Sequence, residues 1–454
     1  MTVFSTGLKT LPILLLTAAC AAVGPNPEGT APPAVPTGFV GGDGTPVATV
    51  AQTKFWADYR DTTLSNIIER GLAQNLNVLA ANQRIQVASA AAQATGVAAS
   101  QVQGSLTGQR ERSGGDNIQA STSNGGALSA SFVFDMFGGQ QRARQAASAS
   151  LLSAEAGAQT TRLAWIAEVI SAYSDARYYQ ESMALTRNLV ATRQQTVSVT
   201  RNKLDLGSAT DFEVAQAEAL LATARADLPT QEAAFNAQVF RLATLLNEPA
   251  GPLMAQLQRG ASMLRVPAPP RIGVPADLLR NRPDVRAAEH DLVAAMATVG
   301  VAQAALYPSL SLTGSATSTG GSDMWSFGPR ISLPLLNQGL LRATHNQRVA
   351  QAELAETTWR SSITTAVGDV QTQNSNLQRY RQQVGALEAA VTSYERAYEL
   401  AQRNFEAGSL GLLDLLEVDR ALAAARISLA SARNTAAKSW ASLNIAVGAG
   451  AAPQ

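Results

Sequence analysis

The stretch Tyr307-Pro308-Ser309-Leu310-Ser311-Leu312-Thr313 decides the fold, because its apolar and polar side chains alternate with a period of two. That period is typical of a β-strand with one apolar and one polar face. The alternation resumes after a Gly-containing turn at residues 318–321, which predicts a β-hairpin at about residues 307–334. A similar alternation at residues 128–134 predicts the second strand of another hairpin, at about residues 102–135, whose first strand is less regular.

Strands of this kind, about ten residues long and apolar on one face, are found in transmembrane β-barrels. An amphipathic hairpin that packs on helices is the alternative interpretation. Lipid offers no hydrogen-bond partner to an exposed backbone N–H or C=O group, so a sheet that spans a bilayer must close into a barrel. Closed membrane barrels begin at about eight strands, whereas this chain offers four predicted strands. If the strands span a bilayer, several copies of the chain must share one barrel.

The chain contains one unit twice, at a spacing of about 200 residues. Gly104-Ser105-Leu106-Thr107 corresponds to Pro308-Ser309-Leu310-Ser311, and Leu206-Gly207-Ser208 corresponds to Ala407-Gly408-Ser409, in the same order. This period is too long for a solenoid. It predicts a duplicated domain-sized unit in which each copy contains a helix, a hairpin, a very long helix, a turn and a long helix.

The boundaries of these parts follow from the repeat and from composition. We expect the following order along the chain: a signal peptide at 1–19, a lipidated N-terminal tether at 20–60, the first repeat at 61–247, a Pro-rich linker or equatorial segment at 248–275, the second repeat at 276–447, and a C-terminal tail at 448–454.

The long helix of the second repeat is predicted from about Gly339 to Phe405, where apolar residues recur every seven positions. Sustained heptads indicate helices that supercoil on a neighbour. About 65 helical residues give a rod of about 100 Å, and the matching helix of the first repeat is predicted at about Gln140 to Leu206. Gly207 and Gly408 are then placed at sharp reversals, because glycine tolerates positive φ at a helix C-terminus. The two heptad series are Val349, Glu356, Ile363, Val370, Leu377, Val384, Val391, Tyr398 and Phe405, and Ala352, Trp359, Ala366, Gln373, Tyr380, Leu387, Tyr394 and Ala401.

The composition excludes several classes of function. The 35 Lys and Arg residues balance 34 Asp and Glu residues, for a net charge of +1, which argues against a nucleic-acid partner. The sequence contains no phosphate-binding loop, Cys/His cluster or nucleophile motif. His290 and His345, which lie inside helical stretches, are expected to have structural or solvated roles. We therefore expect neither an enzyme nor a cofactor other than a covalent lipid.

The N-terminus has the pattern of a secretory signal, which is followed by Cys20, the only cysteine of the chain. A short start with one basic residue precedes an apolar run, and Ala18-Ala19 provides the small residues of a cleavage site. Leu16-Thr17-Ala18-Ala19-Cys20 looks like a bacterial lipobox, in which the cysteine carries lipid, although Thr17 stands where Leu is usual. Plain secretion with an incidental cysteine is the alternative.

Charged and apolar residues alternate just beyond the second tip glycine. Glu417 and Arg420 stand three positions apart, so they can meet on one helix face. If several copies surround an axis, Glu417 lines the mouth with acid and can pair with Arg420. An ordinary solvated pair is the competing interpretation.

The chain resembles the outer-membrane factors of the TolC and OprM type, nearest to the lipoprotein branch that serves RND efflux pumps. The resemblance covers nearly the whole chain after the signal and depends on several motifs together. They are Cys20 with Val23-Gly24-Pro25, Phe134-Asp135-Met136-Phe137-Gly138, Gly273-Val274-Pro275-Ala276-Asp277-Leu278-Leu279, Arg282-Pro283-Asp284-Val285-Arg286-Ala287-Ala288-Glu289, Tyr307 to Thr313, and Ile331-Ser332-Leu333-Pro334-Leu335-Leu336-Asn337.

The resemblance implies a mainly α fold with a transmembrane β part, in a homotrimer whose 12-stranded β-barrel is continuous with a 12-helix α-barrel. It implies a lipid-anchored protein of the outer membrane that extends into the periplasm and passively conducts substrates. It also implies that the tips at Gly207, Ser208, Gly408 and Ser409 dock a periplasmic adaptor, and that an inner-membrane RND transporter supplies the energy. Glu417 and Arg420 fall where this branch has an acid and an arginine that hold the tip closed, with Leu413 at the constriction, although aspartate is more usual at the position of Glu417.

Three other functions compete with an efflux channel. The same channel serving a type I protein-secretion system is the nearest, because the fold cannot separate the two. A trimeric surface adhesin would carry a single barrel segment at its C-terminus, and a soluble coiled-coil scaffold would leave the strands and the signal unexplained.

Overall fold

The computed structural model describes residues 22–26, 34–42, 44, 54–96 and 102–451. After a short 3-10 helix at Phe55–Tyr59, the two repeats run in the same order of elements, as predicted. The elements of the first repeat are α1 (Thr62–Gln74), α2 (Leu76–Gly96), β1 (Val102–Gly115), β2 (Ile118–Phe134), α3 (Gly139–Asp205) and α4 (Asp211–Leu246). Those that follow are α5 (Ala250–Gln258), α6 (Pro275–Asn281), α7 (Pro283–Ala304), β3 (Ser309–Thr319), β4 (Ser322–Ser332), α8 (Gln338–Glu406) and α9 (Leu412–Ala446).

The four strands form one antiparallel sheet in the order β1-β2-β3-β4, so the hairpins of the two repeats lie side by side. Gly320 and Gly321 connect β3 to β4 with φ values of 60° and 88°. Positive φ at both central residues gives a tight turn whose twist matches that of the flanking strands. This turn sets the register in which Thr319 faces Ser322.

The register sorts the side chains of the sheet into one apolar and one polar face. Leu106 faces Leu128, Leu128 faces Ala316, and Ala316 faces Trp325, so one apolar row crosses all four strands. Further apolar rows continue to the level of Phe134, about 20 Å along the strand at 3.3 Å per residue. This height is close to the apolar band of about 25 Å in outer-membrane barrels.

The opposite face carries a ladder of hydroxyl groups. The Oγ atoms of Ser105 and Ser129 lie 2.7 Å apart, and those of Ser315 and Ser326 lie 2.9 Å apart. The predicted alternation is therefore confirmed at residues 128–134 and in β3 and β4. β1 is less regular, as expected, because Arg110 and Arg112 lie on the same face as Leu106.

The apolar face of the sheet is exposed. Trp325 is 83% exposed, Leu106 81% and Phe327 70%. The alternative of an amphipathic hairpin whose apolar face packs on helices is therefore wrong for this protomer. A continuous exposed apolar surface of this kind indicates contact with lipid or with another protein.

The long helices match the heptad prediction. α3 has 67 residues and α8 has 69, whereas the return helices α4 and α9 have 36 and 35. Ile363, Val370 and Leu377 of the first heptad series are buried. In the second series Trp359 and Ala366 are buried, but Tyr394 is 41% exposed. Within the described part of the chain, no helix combines the length and apolar character needed to cross a membrane.

The chain divides into two compact units. The described parts of residues 82–157 and 284–362 form one unit, which contains the sheet. The other unit contains the described parts of residues 35–81, 158–283 and 363–454.

An aromatic cluster forms part of the core of the second unit. The rings of Tyr59 and Trp440 meet edge to face with centroids 4.8 Å apart, and the Tyr59 hydroxyl donates to the carbonyl of Ala437 at 2.6 Å. Burial raises the pKa of Tyr59 above its ordinary value. The Trp440 indole N–H donates to the carbonyl of Ala268 at 2.8 Å, which fixes the Pro-rich segment to α9.

Three of the expected segments differ from the structure. The tether expected at residues 20–60 ends earlier, because Phe55, Trp56 and Tyr59 are buried core residues. The linker expected at 248–275 contains α5, whose Leu253 and Leu257 are buried. Of the expected tail, Gly448 and Ala449 pack closely, with Ala449 1% exposed. The signal peptide and Cys20 lie outside the described residues.

Candidate functional site

The two predicted tips have the same backbone structure. Gly207 and Gly408 have φ values of 72° and 76°, and the N–H groups that follow turn back to the last helical turn. The Ser208 N–H donates to the carbonyl of Lys203 at 2.8 Å, and the Ser409 N–H donates to the carbonyl of Asn404 at 2.9 Å. This Schellman pattern satisfies carbonyls that a helix end leaves free. The corresponding Gly-Ser sequences at 207–208 and 408–409 thus give two equivalent exposed turns.

The two return helices begin differently. Thr210 and Glu213 form a capping box at the start of α4, with the Thr210 N–H donating to the Glu213 carboxylate at 2.8 Å. Gly411 precedes α9 and provides no side-chain cap. A glycine N-cap is weaker than a threonine cap by only about a few tenths of a kcal/mol, so capping fixes the start of α9 slightly less than that of α4.

An apolar cluster joins the four helices next to the tips. Its fully or nearly buried members come from α3, α4, α8 and α9, and we call it the tip cluster. The members are Val197, Ala217, Leu221, Ala401, Phe405, Leu412, Leu415 and Leu416. Because each helix contributes, the first helical hairpin cannot move against the second without exposing apolar surface.

A lysine connects the two tips directly. The Lys203 ammonium lies 4.1 Å from the centroid of the Phe405 ring and donates a hydrogen bond to the Phe405 carbonyl. The contact combines a cation–π interaction with a charge-assisted hydrogen bond. It links the last turn of α3 to the last turn of α8.

A buried ion pair reinforces this connection farther from the tips. Arg193 Nε donates to Asp419 Oδ2 at 2.8 Å, and each side chain is only 8% exposed. Arg193 Nη1 also donates to the carbonyl of Leu220 at 3.0 Å. One guanidinium therefore holds α3, α4 and α9 together.

Beside this pair, α3, α8 and α9 enclose a groove of about 480 Å³. Tyr398 lines it, and burial, followed by the charge of Asp419, raises the pKa of this tyrosine to about 12. The Tyr398 hydroxyl is therefore protonated throughout the physiological range. Arg426 Nη2 donates to Glu395 at 2.8 Å in the same groove.

The predicted constriction residues lie on the exposed side of α9. Leu413 is 63% exposed, and Glu417 and Arg420 are exposed as well. The structure does not bring Glu417 and Arg420 together, because neither takes part in the ion pairs found among the described residues. In one protomer these three side chains are therefore free to face another molecule.

Arg193 and Asp419 were not among the site residues predicted from the sequence. Asp419 stands in the buried row of α9 with Leu412, Leu415 and Leu416, and an acid in such a row requires a partner. That signal was present in the sequence. The partner could not be identified from the sequence, because Arg193 precedes Asp419 by 226 positions.

Metal chemistry finds no support in this region. Among the residues that the structure describes, no group of three or more His, Cys, Asp and Glu side chains is placed to hold a metal ion.

Comparison with known proteins agrees with the duplicated architecture. The model of the family "Outer membrane efflux protein" matches residues 67–248 and 274–449, once for each repeat. Nodulation protein T of Rhizobium leguminosarum bv. trifolii is 35% identical over 98% of this chain and 97% of its own length. The pyoverdine export outer membrane protein OpmQ of Pseudomonas putida is 32% identical over 91% of this chain and 90% of its own length.

A solved structure shows the same fold. The open state of the Neisseria gonorrhoeae MtrE outer membrane channel is 25% identical, with a TM-score of 0.77 over 92% of this chain and 96% of that one. The predicted fold class is thereby confirmed for the protomer, and the chain is a protein of the outer membrane. The chain belongs to the outer membrane efflux protein family.

Proposed function

We propose that the chain is the channel subunit of a tripartite efflux pump, anchored in the outer membrane by lipid on Cys20. The observation that carries the proposal is the amphipathic four-stranded sheet. Among the described residues β1 and β4 each pair with one strand only, so the sheet has two open edges. An edge placed in lipid needs a partner for its backbone groups.

Three copies close the sheet in this proposal. β1 of one copy pairs with β4 of the next, and the apolar rows then form a continuous band toward lipid. Twelve strands exceed the minimum of about eight for a membrane barrel. The serine ladder then faces the lumen, and α3, α4, α8 and α9 of each copy contribute four helices to a 12-helix tunnel.

The exposed tips serve two roles in such a trimer. Gly207, Ser208, Gly408 and Ser409 present the turns to a periplasmic adaptor. Leu413 and Glu417 of each copy surround the axis at the narrow end, where Glu417 pairs with Arg420 of a neighbouring copy when the mouth is closed. Opening requires α8 and α9 to move away from the axis.

The transported compounds are small organic molecules in this proposal. Relatives have names such as pyoverdine export outer membrane protein OpmQ and toluene efflux pump outer membrane protein TtgF, the latter 32% identical over 71% of this chain. The channel adds no energy, and an inner-membrane RND transporter drives export through the adaptor.

A deletion strain tests this function. Loss of the gene should sensitise cells that express it to organic solvents, dyes or antibiotics, and a plasmid copy should restore resistance. Unchanged susceptibility across the panel, together with loss of a secreted protein, would instead support the type I secretion channel. Affinity purification separates the same alternatives, because an RND transporter is expected with the channel rather than an ABC exporter.

A further inference from the structure

The main-chain groups of residues 22–26 form hydrogen bonds that fix this segment onto the folded chain. Val23 N–H donates to the carbonyl of Phe137 at 3.1 Å. Arg142 Nε donates to the carbonyl of Val23 at 3.2 Å, and Arg142 Nη2 donates to that of Gly24 at 3.3 Å. Arg142 is itself only 6% exposed. A segment that follows the proposed lipidation site by two residues is thus held by three hydrogen bonds.

Three glycines allow this segment to approach closely. A Cβ on Gly138 would lie 2.4 Å from the Cβ of Ala22, and a Cβ on Gly24 would lie 2.6 Å from the Cα of Gly300. A Cβ on Gly300 would lie 2.8 Å from Cγ of Arg142 and 3.0 Å from the carbonyl oxygen of Val23. Any larger residue at these positions would push the segment away.

Gly300 is the most informative of the three, because it lies inside α7. Glycine in a helix interior destabilises the helix by about 1 kcal/mol relative to alanine. No turn or positive φ requires a glycine at this position. The close approach of Arg142 and Val23 provides the physical reason for it.

The contacted residues belong to both repeats. Phe137 and Gly138 lie in the turn between β2 and α3 of the first repeat, whereas Gly300 lies on α7, which leads into β3 of the second. The rings of Phe137 and Tyr307 stack with centroids 4.6 Å apart. The segment therefore lies where the two strand–helix junctions meet.

We propose that residues 22–26 form a clasp that binds both strand–helix junctions and fixes the lipid anchor beside the end of the sheet. The anchoring part rests on the proposed lipidation of Cys20. Two peptide units join residue 20 to Ala22, and they reach at most about 7 Å. The acyl chains on Cys20 would then enter the leaflet at the edge of the sheet where β2 ends and β3 begins.

Hydrogen exchange followed by mass spectrometry tests the clasp in detergent-solubilised protein. Gly300→Ala and Arg142→Ala should each accelerate exchange in the peptide that contains Val23 by tenfold or more. Two variants provide matched controls. Gly368→Ala also adds a methyl group inside a long helix, but into open space. Arg348→Ala removes an arginine that, like Arg142, bonds a glutamine three positions ahead.

The outcomes separate the clasp from the anchor. Unchanged exchange in both Gly300→Ala and Arg142→Ala would overturn the clasp, as would equal acceleration in the two controls. Hydrogen exchange in the Cys20→Ser protein tests the clasp without lipid, and the peptide that contains Val23 should remain protected from exchange there. Absence of lipid from Cys20 would refute the anchor and leave the clasp standing.

Discussion

Arg193 and Asp419 form a buried ion pair of 2.8 Å that joins the long helix of the first repeat to the return helix of the second. With the Lys203–Phe405 contact and the tip cluster, it fixes the two helical hairpins of one protomer against each other. A channel mouth that opens by moving α8 and α9 must break or carry along these contacts. These contacts contribute to the stability of the fold, and they would oppose opening only if the two hairpins separate in the proposed channel.

Replacing Arg193 with Ala should destabilise the protein strongly. Asp419 would be left buried and unpaired, which costs about 3–5 kcal/mol. The thermal unfolding midpoint in detergent and the half-life near that temperature provide the measurement. Arg201→Ala is the control, because Arg201 also lies on α3 but forms an exposed pair with Glu218 of α4, where the expected loss is below about 1 kcal/mol. Equal losses in the two variants would contradict a structural role for the buried pair.

Removing the charges of Glu417 and Arg420 should open the channel more often. Three pairs worth about 0.5 kcal/mol each would favour the closed mouth by about 1.5 kcal/mol, which corresponds to an about tenfold change in open population. Single-channel recording in planar bilayers of the Glu417→Ala, Arg420→Ala double variant measures this change. Glu388→Ala with Arg433→Ala removes an exposed pair that joins α8 to α9 and should leave conductance unchanged. If both double variants conduct alike, Glu417 and Arg420 do not gate.

The proposed lipid anchor can be tested by replacing one side chain. Cys20 is the only cysteine, so Cys20→Ser should abolish incorporation of labelled palmitate into the protein. Thr17→Leu, which brings the lipobox to its usual form, should preserve or increase labelling. Label that persists in Cys20→Ser would refute the assignment.

Acid should weaken the fold through His290. Burial lowers the pKa of His290 below its ordinary 6.5, against a raising effect of Glu289. The unfolded chain then binds this proton at a higher pH than the folded chain does, so stability falls as pH drops below about 6.5 and is unaffected above it. His290→Gln should show a smaller loss of unfolding midpoint between pH 7.5 and 5.5 than the unmodified protein. An identical loss in both would show that His290 does not contribute.

The sequence predicted the elements whose physical cause is local. Alternation in β2, β3 and β4 predicted the strands and their apolar face. The heptads predicted the length of α8, and the internal repeat extended that prediction to α3. The glycines at 207 and 408 predicted the tips, because positive φ is a property of one residue. Each of these features is written in a few consecutive positions.

Features that depend on distant parts of the chain were not predictable in the same way. Asp419 could have been recognised as an acid in a buried row, but Arg193 could not be named as its partner. Gly300 was not singled out from the sequence, and only the approach of Val23 and Arg142 explains a glycine at this position. The boundary of the tether was misplaced for the same reason, since Phe55 and Trp56 are buried against partners that include Trp440, far along the chain.

The central claim is that the sheet of one protomer is one third of a barrel. Native mass spectrometry of the protein extracted from outer membranes, with and without Cys20→Ser, tests this claim most directly. The account predicts a complex of three chains that survives mild detergent. A monodisperse monomer that stays in solution without membrane association would contradict it.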